Sequence, residues 1–187
     1  MRFLVLASQS KRRVEILRML GFKFFVVPSY VEENYTGNPL LTARRLAFKK
    51  AFTVWKDYKF ATVLGADTVV VVGDRVMGKP KDEEEAKSML RTLSGRWHKV
   101  ITAVCVISPK GRVSFHDTAW VKFRDLSEEE IQEYVKTQEP MDKAGAYAVQ
   151  GMGAKFVEKI KGDFYTVMGL PASKTYTVLK SILELRI

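Results

Sequence analysis

Thr62-Val63-Leu64-Gly65-Ala66-Asp67-Thr68-Val69-Val70-Val71-Val72 leads directly into Gly73-Asp74 and the short run Arg75-Val76-Met77. The first run is rich in β-branched residues and reads as a long strand. Gly73-Asp74 is a turn signal, so the strand folds back into a short hairpin partner that ends at Gly78-Lys79-Pro80. Upstream, Leu40–Trp55 has helical period, with Leu41, Leu46, Ala47, Ala51 and Trp55 as the expected inner face. Before it come a loop, Pro28–Pro39, that carries Glu32-Glu33, and a short strand at Phe24–Val27. Val14, Ile16, Leu17 and Leu20 mark a helix stopped at Gly21, and Phe3–Ala7 is an apolar opening strand. Downstream, Asp82-Glu83-Glu84-Glu85 opens a helix to Leu93 with the acidic first turn that the macrodipole favours. Trp97–Ile107 and Val113–Phe123 are long strands around Pro109-Lys110-Gly111, an expected antiparallel pair. Ser127–Glu130 fits a capping box for a helix to about Lys136. Gly145–Val149 and Lys155–Ile160 read as short strands, Lys161-Gly162-Asp163 as a turn into Phe164–Met168, and Pro171 as the start of a last helix to Leu185. Helices and strands interleave but hairpins are frequent, which predicts an α/β protein with a mixed sheet and flanking helices.

The chain has 187 residues, 47% of them apolar and 28% charged. That apolar share excludes a disordered chain, and twelve Gly and six Pro exclude a collagen-like or low-complexity one. The length suits one domain, or one domain with two lobes. The single cysteine, Cys105, lies in the apolar run Ile101–Ile107 and reads as a small buried hydrophobe; alone, it forms no internal disulfide. The opening apolar run is too short for a signal segment or a bilayer span, so no membrane partner and a cytoplasmic location are expected. Thirty-one Lys and Arg against 21 Asp and Glu give a net charge of +10, which raises the question of which anion they meet.

Positions where local rules conflict point to the site. Lys11-Arg12-Arg13 follows Ser8-Gln9-Ser10 and sits in the first turn of a helix, where the macrodipole disfavours cations. Strand, serine loop, helix N-terminus and paired arginines make a good anion cradle, for a phosphate or for a carboxylate. Asp67 lies inside an otherwise apolar strand, where a carboxylate persists against a metal, a Lys or Arg, or several donors. It is read as a metal ligand or a general base, with a turn-capping Asp as the bland alternative. Gly78-Lys79-Pro80 and Asp142–Gly151 are weaker signals on their own, as is the acidic pair Glu32-Glu33. Together the groups form an inventory for handling a polyphosphate with a divalent metal. No P-loop and no GxGxxG fingerprint is present.

Leu6-Ala7-Ser8-Gln9-Ser10-Lys11-Arg12-Arg13 with Ile16-Leu17 and Gly21 resembles the opening signature of the Maf family of nucleoside triphosphate pyrophosphatases. Val31-Glu32-Glu33, Lys49-Lys50-Ala51, Gly65-Ala66-Asp67-Thr68-Val69, Gly78-Lys79-Pro80 and Leu93-Ser94-Gly95 follow in the family's order. Asp142–Tyr147 with Gln150-Gly151, and Gly169-Leu170-Pro171, complete a resemblance that covers nearly the whole chain. It implies a single Maf-like domain over residues 1–187, with an elongated mixed sheet and two lobes around a cleft, related to inosine triphosphatases. It also implies hydrolysis between the α and β phosphates, giving a nucleoside monophosphate and pyrophosphate, with Mg²⁺ or Mn²⁺. Matching positions assign Ser8, Arg12, Arg13, Lys50 and Lys79 to the phosphates, Asp67 to proton abstraction, and Glu33 with Asp67 to the metal.

Asp67-Thr68-Val69 and Ala146–Gln150 are similar to the branch acting on dTTP and UTP, as opposed to 7-methyl-GTP. Arg12, Thr68 and Gln150 match its specificity positions. Canonical and modified pyrimidine triphosphates both fit, and the oligomeric state stays open, with a homodimer as one option. Lys11 departs from the family's frequent proline. The rival expectation is a nucleic-acid-binding regulator of septum formation, favoured by the net charge but without a recognised nucleic-acid-binding motif.

Overall fold

The computed structural model describes residues 3–183. Among the described residues seven strands form one mixed sheet: β1 (Leu4–Leu6), β2 (Phe25–Val26), β3 (Thr62–Val72), β4 (Arg75–Met77), β5 (Trp97–Ser108), β6 (Gly111–Phe123) and β7 (Val157–Lys161). Their order is β2-β1-β3-β5-β6-β7, with β4 attached to β3. β1 pairs in parallel with both β2 and β3, whereas β4 is antiparallel to β3 and β7 to β6. The expected mixed α/β architecture is present. The helices are α1 (Lys11–Met19), α2 (Pro39–Trp55), α3 (Glu83–Leu93), α4 (Glu128–Lys136), α5 (Phe164–Met168) and α6 (Ala172–Leu183).

The chain forms two compact units. The first comprises Met1–Asp67, Thr102–Asp117 and Gly169–Ile187, and the second Thr68–Ile101 and Thr118–Met168. In the first, Leu4, Leu6, Ile16, Leu17, Leu46 and Leu64 are fully buried. In the second, Met77, Leu90, Leu93, Phe123, Tyr134 and Phe156 play that part. Each such side chain contributes on the order of 1.5–3 kcal/mol by leaving water.

Local chemistry explains most boundaries. Asn38 caps α2 by accepting from the Leu41 amide at 3.1 Å, and Pro39 follows it at the first helical position. Asp82 caps α3 through the Glu85 amide at 2.8 Å. The expected capping box is formed: Ser127 Oγ accepts from the Glu130 amide, and Glu130 accepts from the Ser127 amide. Asp163 caps α5, accepting from the Tyr165 and Thr166 amides.

Three expectations need correction. Gly145–Val149 is not a strand. Its start is a tight 3₁₀ turn, Ala144–Ala146, with Gly145 at φ 70° and Ala146 at φ 60°, backbone angles no strand allows. The strand expected at Lys155–Ile160 is β7, shifted to Val157–Lys161, because Met152–Phe156 forms another 3₁₀ turn. The inner face of α2 is also rotated. Thr42, Ala43, Leu46, Ala47, Lys50, Ala51 and Val54 are buried, while Leu41 is 63% exposed and Trp55 half-buried. The last helix starts just after Pro171 as expected; its expected end at Leu185 lies outside the described residues.

Candidate active site

In the first unit the site begins at the end of β1. The strand runs into Ala7, whose amide donates to Leu64 O at 2.8 Å, and then into buried Ser8. Ser8 Oγ accepts from the Ser10 amide at 3.1 Å, closing the loop in front of α1; Ser10, the N-cap residue, makes no side-chain cap bond. Arg12 is half-buried and Arg13 is buried in the first turn of α1, which holds no acidic residue. Arg13 Nε donates to Gly169 O at 2.8 Å, and Nη1 makes a long contact of 3.4 Å with Ser8 Oγ. Burial pulls the Arg13 pKa below its ordinary value, opposed by the nearby charges of Asp67 and Glu33.

Those carboxylates meet on Lys50. Its Nζ donates to Asp67 Oδ1 at 2.6 Å and to Glu33 Oε1 at 2.7 Å. The close approach rests on Gly65. A Cβ there would sit 2.5 Å from both Ala47 O and Ala51 N, so only glycine lets α2 lie this near β3. Lys50 stands between those two alanines, and Asp67 is two residues beyond Gly65 on the same face of the strand. Glu33 comes from the loop before α2. Arg45 Nη2 pins that loop at Asn34 O (2.9 Å), and Thr42 Oγ1 pins it at Thr36 O (2.7 Å). Tyr35 OH donates to Glu33 Oε2 at 2.7 Å. Burial, then the neighbouring carboxylates, push the Tyr35 phenol pKa up, so it stays a donor.

Asp67 is 2% exposed, and its Oδ2 is buried without a hydrogen-bond partner. Burial raises its pKa above the carboxylate norm, against the pull of Lys50 and Arg13. A buried carboxylate with a raised pKa and one oxygen uncommitted has the character of a general base. Around it stand two buried cations, which suits the charge of a polyphosphate.

The second unit holds the remaining expected residues. Thr68 follows Asp67 on β3 and is half-buried, Lys79 is exposed between buried Gly78 and Pro80, and Gln150 is exposed on a turn. The Gly145 amide donates to Gly78 O at 3.1 Å, which ties the lysine loop to the Asp142–Gly151 segment. A Cβ at Gly145 would meet the Val70 side chain at 2.8 Å, so the segment is also seated directly on β3.

The profile of the family described as Maf-like protein matches residues 3–182. The chain belongs to the Maf family. Among its relatives, a protein named dTTP/UTP pyrophosphatase from Aquifex aeolicus is 56% identical, covering 95% of this chain and 94% of its own. Another of that name from a Geobacillus strain is 46% identical, covering 97% and 99%. The Ham1 protein of Staphylococcus aureus, at 14% identity, shares the fold with a TM-score of 0.53 and covers 98% of each chain.

In this Maf chain Ser8, Arg13, Glu33, Lys50 and Asp67 therefore gather in the first unit, with Arg12 on the same helical turn. Thr68, Lys79 and Gln150 lie in the second. Periodicity could have found Lys50: it is four residues after Leu46 and three after Ala47, on the apolar stripe of α2. Tyr35 carried no such signal, because its role depends on a loop fold.

Two carboxylates near one another are the donor chemistry that a hard divalent cation takes. Mg²⁺ binds through one or two carboxylates plus phosphate oxygens. The Asp67 and Glu33 carboxylates are donors of that kind, Glu33 being held by Lys50 and Tyr35, and among the described residues no group of three or more His, Cys, Asp or Glu offers a self-sufficient site.

Proposed function

We propose that this chain is a house-cleaning nucleotide pyrophosphatase, a hydrolase that converts dTTP and UTP to the nucleoside monophosphate and pyrophosphate. The buried Lys50 bridge between Asp67 and Glu33, with Asp67 Oδ2 left without a hydrogen-bond partner, carries the reading. The names of the Aquifex aeolicus and Geobacillus relatives supply the substrates. The reading takes both units as one Maf-like domain spanning residues 1–187, acting in the cytoplasm, where nucleoside triphosphates are made.

Arg12 and Arg13, with the loop amides behind Ser8, bind and orient the triphosphate, and Lys79 adds charge from its own loop. Asp67 takes a proton from water at Oδ2 as that water attacks the α-phosphorus. Lys50 holds the Asp67 carboxylate in one rotamer through Oδ1, which leaves Oδ2 to the water. Asp67 and Glu33 would hold Mg²⁺ or Mn²⁺, which when bound supplies charge neutralisation on the phosphate oxygens. Thr68 and Gln150 act on the nucleoside end; a Gln amide both donates and accepts, as a pyrimidine edge requires.

Asp67→Asn tests the base role. Pyrophosphate release from dTTP should fall by about 10²–10⁴, and turnover near the wild-type rate refutes it. Beyond the net charge of +10, nothing in the structure or among the relatives favours the nucleic-acid-binding regulator of septum formation. Among the described residues no helix is long and apolar enough to cross a membrane.

A further inference from the structure

The turn that presents Gln150 is held from beneath by one carboxylate. Glu139 Oε1 accepts from the Met152 amide at 3.0 Å, and Oε2 accepts from the Gly153 amide at 3.1 Å. Tyr134 OH donates to the same Oε2 at 2.6 Å and accepts from the Ala148 amide at 3.1 Å. The backbone is thus gripped at residues 148, 152 and 153, on both sides of Gln150. The glycines of the turn are cut to this arrangement. A Cβ at Gly151 would collide with the Glu139 carboxylate, and one at Gly153 would sit 2.8 Å from both Tyr134 OH and Ala148 O.

Glu139 is itself fixed. Its amide donates to Thr137 Oγ1 at 3.2 Å, and its carbonyl accepts from Lys143 Nζ at 3.1 Å. Burial opposes its charge, but hydrogen bonds from Tyr134, Met152 and Gly153 outweigh this and hold its pKa below the carboxylate norm. It is therefore an ionised acceptor at neutral pH, and charge-assisted bonds of this kind are the strong ones. Nothing in the phosphate chemistry uses Glu139. Its carboxylate bonds to the Tyr134 hydroxyl and to the Met152 and Gly153 amides, just after Gln150.

We propose that Glu139, bridged through Tyr134, is a specificity-positioning residue: it sets the backbone of the Ala148–Gly153 turn so that Gln150 meets the nucleobase in one orientation. The inference rests on the reading of Gln150 as the residue that meets the base. A reader with a fixed amide discriminates between hydrogen-bonding edges, whereas one on a loosened turn rotates to suit either.

The experiment compares Glu139→Ala, Gln150→Ala and the double variant, with kcat and KM measured separately for dTTP and dGTP. Glu139→Ala should raise the KM for dTTP about tenfold and reduce the dTTP-over-dGTP preference by a similar factor, with a smaller change in kcat. The double variant should lose no more preference than Gln150→Ala alone, since both act through one amide. If Gln150→Ala abolishes the preference and Glu139→Ala leaves it intact, the positioning role is overturned while the base-reading role stands. If Gln150→Ala itself leaves the preference unchanged, the base-reading role fails and takes this proposal with it. Should Glu139→Ala not fold, Glu139→Gln and Tyr134→Phe carry the test. Each removes part of the network, so each should shift the preference in the same direction; an unchanged preference in both overturns the proposal.

Discussion

Gly65→Ala is a one-carbon change that should disable the site without touching a charged group. The added Cβ would lie 2.5 Å from Ala47 O and Ala51 N and 3.0 Å from Ala51 Cα. All three are backbone atoms, so no side chain can swing aside. Ordinary contact begins at 3.4 Å, which requires α2 and β3 to part by about 0.9 Å. Lys50 rides on that part of α2, between Ala47 and Ala51. A bodily shift would stretch its 2.6 Å bond to Asp67 to roughly 3.5 Å, past hydrogen-bond range. Overpacking of this kind costs about 1–3 kcal/mol, which for a chain of this size is a fall in Tm of roughly 2–12 °C. Pyrophosphate release from dTTP, assayed well below the new Tm, should drop at least about tenfold, in line with the penalty for small misplacements of catalytic groups. A variant that melts with the wild type and turns over at its rate would refute the claim that Gly65 sets the Lys50–Asp67 distance.

Lys50→Met removes the ammonium shared by Asp67 and Glu33. Leaving a buried carboxylate uncompensated should destabilise the fold by about 3–5 kcal/mol in urea titrations and move the acid limb of the kcat/KM profile upward, because Asp67 loses the partner that lowers its pKa. His98 takes up its proton at lower pH than an ordinary histidine. Burial lowers its pKa to about 4 from 6.5. The unfolded chain therefore binds the proton more readily between these values, and stability that is complete above pH 6.5 is lost as pH falls towards 4, by on the order of 3 kcal/mol. His98→Gln should flatten that part of a urea-midpoint-against-pH curve; an unchanged slope would contradict it. A chelator should abolish dTTP turnover while leaving the Tm within error, since Lys50 joins the two carboxylates by direct ion pairs; a large fall in Tm would show a structural ion instead.

The residues themselves announced much of this. The run of β-branched residues before Gly73-Asp74 gives β3 and its hairpin, and the Ser127–Glu130 pattern gives α4 its start, because both signals are local. Asp67 stood out for the same reason: a carboxylate inside an apolar strand needs a partner. The partner was harder to read. Leu41 looked like the inner face of α2 and is exposed, while Lys50 is buried beside Leu46, Ala47 and Ala51, where carboxylates from β3 and from the loop before α2 pair with it. Gly145–Val149 mimics a strand by alternating small and larger side chains. Its left-handed turn is set by contact with Gly78 and Val70, which no window of sequence contains. Glu139 and Tyr35 were invisible as well, because they act on backbone or loop groups that only the folded chain brings to them.

The central claim is cleavage between the α and β phosphates by the site around Asp67. The direct measurement is the product pair formed from dTTP and from UTP by the intact enzyme with Mg²⁺, resolved by phosphorus NMR and compared with a panel of purine triphosphates and 7-methyl-GTP. The account predicts nucleoside monophosphate and pyrophosphate in equal amounts, fastest for the two pyrimidine triphosphates. Nucleoside diphosphate with inorganic phosphate, or no cleavage of either pyrimidine triphosphate, would contradict it.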